Sequence, residues 1–162
     1  MKIKIPLTIF FALFLIIVAN RIIFASDLNL PSVSVTPDKY LVYSIKRLVE
    51  KGVILTKLSK ASKADYYKEL VNLRLSELKY VVDNKLLSEV ERSTQRLSYQ
   101  IGTLSDFINQ GLINKKKSTG DFLIKYKNLL ENLRDQYPAN SSYWMLVQHS
   151  INSLDAALEK LK

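Results

Sequence analysis

His149 is the only imidazole in this chain of 162 residues, and no cysteine stands beside it. A lone histidine could act as a general base, but no nucleophile lies at a recognisable spacing. Helical periodicity sets it opposite Val147, Ile151 and Leu154, on the side that meets water. Zinc asks for three or four nitrogen or sulfur ligands, which one histidine without cysteine does not supply. Among the carboxylates, Glu89 and Glu91 point to different sides of a helix. Asp65 and Glu69 share a side as i and i+4, and with Lys68 beside them in a first turn they read as solvated charges that favour the helix dipole. No glycine-rich phosphate cradle is present, and the chain holds four glycines in all. The expectation is a protein that is not an enzyme and carries no metal or cofactor.

Two groups remain as candidate binding residues. Lys115, Lys116 and Lys117 fall between Gly111 and Gly120, in an expected loop, where they could meet phosphates. Three lysines are too few to argue for nucleic acid, so that partner is excluded. Arg74 falls inside an apolar stripe, where a guanidinium either joins a buried network, lines a ligand pocket with Tyr67 and Trp144, or lays its stem on the core and sends its head to water. The nine tyrosines occur mostly at helical spacing that puts them at core edges. Asn140, Ser141 and Ser142 match a glycosylation triplet but read as helix-capping residues.

Helices behind an export leader would position these side chains. Lys2 and Lys4 precede an uncharged apolar run from Ile5 to Ala19, broken only by Pro6 and Thr8, and Ala25 precedes the polar Ser26. Ala25 and Ile23 suit peptidase removal. Extended to Phe24 across Asn20 and Arg21, the run instead reaches the roughly 20 residues that cross a hydrocarbon core and would stay as an anchor, with its positive end left inside. Residues 1–25 are read as a signal peptide or membrane anchor, residues 26–36 as an extended linker, and residues 37–162 as one helical domain.

Thr36 is the expected cap of a first helix, with Pro37 at its first position and Asp38 at the positive end of the dipole. Leu41, Ile45, Leu48 and Val49 share one side of it, and Gly52 is its expected stop. Val53 to Ser62 is ambiguous. From a Ser62 cap, a second helix carries Tyr67, Leu70, Val71, Leu75, Leu78, Val81 and Val82 in one stripe, and Tyr66, Leu73 and Tyr80 on another side. After Asp83 and Asn84, a third helix runs to about Gln110. Its apolar residues, from Leu87 and Val90 through Leu97, Ile101 and Leu104 to Ile108, alternate at the three and four spacing of packed bundles. A fourth helix around Phe122 to Tyr137 stops before Pro138. A last one, capped by Ser141 or Ser142, turns Val147, Ile151, Leu154, Leu158 and Leu161 inward. The predicted fold is all-α, an antiparallel bundle of four to five helices.

The formal charge is +9. Beyond the leader, 21 basic residues stand against 15 acidic ones, a net +6. Outside the cytoplasm such an excess favours anionic lipid headgroups, acidic wall polymers or acidic proteins.

Leu30, Pro31, Ser32, Thr36, Pro37 and Asp38, then Tyr43, Ile45, Lys46, Arg47, Leu48 and Glu50, resemble the opening of the domain of unknown function 5667 family. Lys63, Ala64, Glu69, Leu70, Arg74, Leu75, Glu77 and Leu78 are similar to its second helix, so the resemblance spans about residues 28–110. This chain departs from the pattern by one extra residue between Pro37 and Tyr43 and by the lack of a second proline there. The resemblance implies an exported or membrane-anchored all-helical domain and brings no activity or site residues. The expected function is an interaction or scaffold module of the cell envelope that binds a protein, an anionic wall polymer or a lipid surface, and the membrane itself if the leader is retained. The alternative is a bundle that senses or carries a small ligand.

Overall fold

The computed structural model describes Phe24–Ala25 and residues 30–162; the leader up to residue 23 lies outside the described residues. Apart from one pair of two-residue strands, the regular structure of the described residues is helical. Two strands of two residues, β1 (Phe24–Ala25) and β2 (Leu30–Pro31), pair antiparallel ahead of the helices. Leu30 and Pro31, within the segment read as a linker, are buried, and Leu30 joins the core against the helix Lys60–Asp83.

Six α-helices follow: α1 (Tyr40–Thr56), α2 (Lys60–Asp83), α3 (Leu87–Gly111), α4 (Lys116–Ile124), α5 (Lys127–Arg134) and α6 (Ser142–Lys160), with a 3-10 turn at Ile113–Lys115 before α4. Four of the expected boundaries are corrected. Thr36 does not cap α1: its carbonyl accepts from the Lys39 amide at 3.1 Å, closing a turn around the buried Pro37, and the helix starts only at Tyr40. Gly52 does not stop α1, because its φ is not positive and it sits as an ordinary interior residue. Ser59 rather than Ser62 caps α2, its hydroxyl accepting from the Ser62 amide at 3.0 Å. The fourth expected helix is two, broken at Lys125 and Tyr126, where the Tyr126 amide bonds back to Leu123 in a tight turn and the phenol donates to Asn72 at 2.5 Å.

The body is built around α3. It is joined to α2 by a turn in which Lys85 takes a positive φ of 54°, and both helices commit their apolar stripes to the same seam. The contacts between elements give their directions. Tyr67 of α2 meets Phe107 of α3 near one end, so these two helices run antiparallel. Ser98 and Asp106 of α3 meet Ser150 and Lys160 of α6, so α3 and α6 run parallel. Lys127 and Arg134 of α5 meet Asp155 and Gln148, so α5 runs against α6. The neighbours are therefore mixed in direction rather than uniformly antiparallel. Leu97, Ile101, Leu104 and Ile108 are fully buried between α2 and α6, as their spacing requires.

Asn140 takes a positive φ of 60°, and the Ser141 hydroxyl accepts from the Trp144 amide, so the triplet does cap α6. Because Gly52 is helical and an added Cβ would meet nothing within 4 Å, Gly52→Ala is expected to stabilise the protein by about 0.5–1 kcal/mol. The check is a higher urea midpoint at unchanged slope.

Candidate functional site

α1 lies over the groove between α2 and α3 with its polar side turned inward. The reason sits in α2. Arg74 and Glu77, three residues apart on the buried stripe, are both withdrawn from water, and two buried charges are tolerable only with full pairing and hydrogen bonding. Arg74 Nη1 donates to both Glu77 oxygens at 2.7 Å. α1 supplies the remaining partners, leaving Arg74 Nε and Glu50 Oε1 without a hydrogen bond among the described residues. Glu50 accepts from Arg74 Nη2, Lys46 Nζ reaches Glu77 at 2.5 Å, and the Tyr43 hydroxyl donates to Glu77 at 2.7 Å while accepting from Arg74 at 3.1 Å. The Arg96 guanidinium of α3 covers the Tyr43 ring at 4.4 Å, and the Tyr66 hydroxyl donates to the Glu50 carbonyl at 3.2 Å. Of the alternatives weighed for Arg74, it takes the buried network. Its guanidinium is not directed to water, and the cavity that Tyr67 lines touches neither Arg74 nor Trp144.

The electrostatics follow from this pairing. Burial alone would raise the Glu77 carboxyl, but Arg74 and Lys46 outweigh it and hold the group below the usual carboxylate range. Burial would likewise depress Arg74, and Glu77 and Glu50 reverse the direction. The Tyr43 phenol is pushed well above its ordinary value by burial and by Glu77, and Tyr66 is pushed up to about 12, chiefly by burial. A depressed carboxyl contributes stability above its unfolded value of about 4.3 and loses it as pH falls through its folded value. Raised phenols contribute below about 10 and lose that contribution as pH rises. Stability should therefore decline below about pH 4 and again above about pH 10. Urea midpoints should show the acid decline shrinking in Glu77→Gln.

With its polar side committed, α1 presents its apolar side to solvent. Leu41, Ile45, Leu48, Gly52 and Leu55 fall at alternating four and three spacing, and Leu41, Leu48 and Leu55 are 76%, 68% and 81% exposed. Leu41, Ile45 and Leu48, which share one side of the helix as expected, thus lie at the surface, while Val49 is half-buried. Tyr40 and Leu58 extend the exposed seam at its two ends. Lys39, Lys51 and Lys60 are exposed around it, and Lys57 reaches over the Tyr66 ring.

The lysine triplet is not in a loop. Lys115 closes the 3-10 turn and reaches Asp65 at 3.4 Å, while Lys116 and Lys117 open α4, which continues through Gly120. Arg74 and the triplet are not brought together. His149 is exposed, as expected, and Trp144 packs under the Arg134 guanidinium at 4.9 Å. Tyr43, Lys46, Glu50 and Glu77 were not singled out by residue type and spacing alone. The signals that could have found them are the helical spacing of Tyr43, Lys46 and Glu50 along α1 and the place of Glu77 three residues after Arg74 inside the apolar stripe of α2. No helix among the described residues is long and apolar enough to cross a membrane. Compared with protein-family models, with curated proteins and with solved structures, the chain matches none.

Proposed function

We propose that this protein is an interaction module of the cell envelope that docks on an anionic membrane surface through the outer face of α1. The observation that carries this reading is the seam of Leu41, Ile45, Leu48 and Leu55, held outward because the opposite side of the helix is locked onto Arg74 and Glu77. An apolar helix face bordered by lysines suits the plane between headgroups and acyl chains. The exposed Tyr40 suits the same depth, with its ring in the apolar zone and its hydroxyl in the wet one. Charge complementarity selects an anionic bilayer. Around the seam, leaving aside the inward-turned Lys46, Arg47 and Glu50, the one acid between Asp38 and Lys63 is Asp38 itself, against Lys39, Lys51, Lys57, Lys60 and Lys63. The apolar run from Ile5 to Ala19, in the anchor reading, would hold the domain close to that surface.

An environment-sensitive fluorophore on Leu48→Cys of the full chain reports the depth of α1 whatever the leader does, since the natural chain has no cysteine. A blue shift on phosphatidylglycerol vesicles, absent on phosphatidylcholine vesicles and absent for a label on the exposed Asn128→Cys, is expected. A shift that depends on protein concentration without vesicles would instead make a second copy the occupant. No shift on either vesicle would overturn the reading.

A further inference from the structure

The polar side of α1 closes one more space, which the network around Arg74 does not use. Where α1 rides over α3, an open hollow of about 230 Å³ is lined by Arg47, Arg92, Gln95, Arg96 and Tyr99. It adjoins a second cavity of about 180 Å³ that shares Arg47 and Tyr99 and continues along the groove past the Glu50 carboxylate and Lys51 to Gln100 and Thr103, so an anion is held at the Arg92 and Arg96 end. Three guanidiniums from two helices thus face one space.

Their charges are only lightly engaged. Arg47 and Arg92 each reach one carboxylate, Glu50 and Glu89, at the long distances of 3.4 Å and 3.3 Å. Arg96 forms no ion pair among the described residues; it lies on the Tyr43 ring, and its Nη1 is buried without a hydrogen-bond partner. In the adjoining cavity, Gln100 is 4% exposed and its Nε2 is also buried without a partner. A buried donor left unpaired is costly, and here two such donors belong to residues lining one groove. Arginine in place of lysine matters as well, because its planar fork grips a carboxylate or phosphate through two hydrogen bonds. Tyr99, 69% exposed, offers a flat face at the junction of the two cavities, and Gln95, Gln100 and Thr103 offer hydrogen-bonding groups around it.

We infer that the groove between α1 and α3 binds an acidic carbohydrate, the guanidiniums of Arg47, Arg92 and Arg96 holding its carboxylate or phosphate and Tyr99, Gln100 and Thr103 taking the sugar. The inference does not rest on membrane docking. Arg92 and Arg96 belong to α3, and none of Leu41, Ile45, Leu48 and Leu55 lines the groove.

Calorimetric titration of the full chain with tetragalacturonate, with phosphorylated maltotetraose and with uncharged maltotetraose tests it. At least one of the two anionic probes is expected to bind, and which one does distinguishes carboxylate from phosphate as the recognised group. Maltotetraose should bind at least tenfold more weakly. Arg92→Gln, whose side chain is 58% exposed and so leaves the fold intact, should weaken binding three- to tenfold. The Arg92→Gln, Arg96→Gln double variant should weaken it further, while a triple change of Lys115, Lys116 and Lys117 to glutamine should leave it within twofold. Equal binding of maltotetraose, equal loss in the lysine variant, or no binding of either anionic probe at millimolar concentration would overturn the inference.

Discussion

Replacing Arg74 with methionine should lower the unfolding free energy by about 3–5 kcal/mol, the largest single-residue effect expected in this protein. The loss is not the worth of the ion pair itself, since burying charges already costs much of what their attraction returns. It comes from what is left behind. Glu77, with 2% of its side chain exposed, would keep only Lys46 and the Tyr43 phenol as partners, and Glu50 would lose the guanidinium that ties α1 to α2. Removing both charges in Arg74→Met, Glu77→Leu should restore most of the loss, because the two substitutions are coupled through one network. Urea denaturation followed by helical circular dichroism measures both. A single variant within about 1 kcal/mol of the parent would mean that the network does not hold α1 in place.

Changing Leu41 and Leu48 together to lysine should do the reverse. Both side chains are already in water, so stability should stay within about 0.5 kcal/mol per site. Membrane docking should nevertheless collapse. Each leucine that enters the acyl boundary contributes about 1.5–3 kcal/mol, so losing two corresponds to more than a hundredfold in affinity. A fluorophore on Leu55→Cys should then fail to shift on phosphatidylglycerol vesicles at any lipid concentration that saturates the parent. A clear loss of stability in the lysine variant would place these leucines in the core after all.

The difference between these two outcomes marks where sequence reasoning succeeded and where it did not. The seam of α3 was legible because Val90, Leu97, Ile101, Leu104 and Ile108 have one apolar side and a polar opposite, leaving a single way to pack. α1 shows the same periodicity, and the rule that an apolar side faces inward would assign Leu41, Ile45 and Leu48 to the core, whereas all three are exposed. What overrode the rule is a requirement of the neighbouring helix. Arg74 and Glu77 sit inside the α2 stripe, and a buried pair of charges calls for a partner that can finish its hydrogen bonds. Tyr43, Lys46 and Glu50 recur at helical spacing on the side of α1 opposite the leucines, so the requirement was written in the chain, but across two segments rather than in one. The hollow between α1 and α3 was hidden for the same reason. Arg92 and Arg96 look like an ordinary solvated face of α3 until α1 brings Arg47 and a ceiling over them. The break at Lys125 and Tyr126 was invisible because nothing in those residues forbids helix; it follows the phenol of Tyr126 reaching across to Asn72.

The inverted seating of α1 is tested most directly by thiol accessibility, which the cysteine-free chain makes clean. Single substitutions of cysteine for Leu41, Leu48 and Leu97 would be reacted with a water-soluble thiol reagent in dilute protein without lipid. Leu41→Cys and Leu48→Cys should react at the rate of an unprotected thiol, and Leu97→Cys, fully buried on α3, should be protected by orders of magnitude. Protection of the Leu41 and Leu48 positions comparable to that at Leu97 would show the leucine seam facing inward and would contradict the arrangement described.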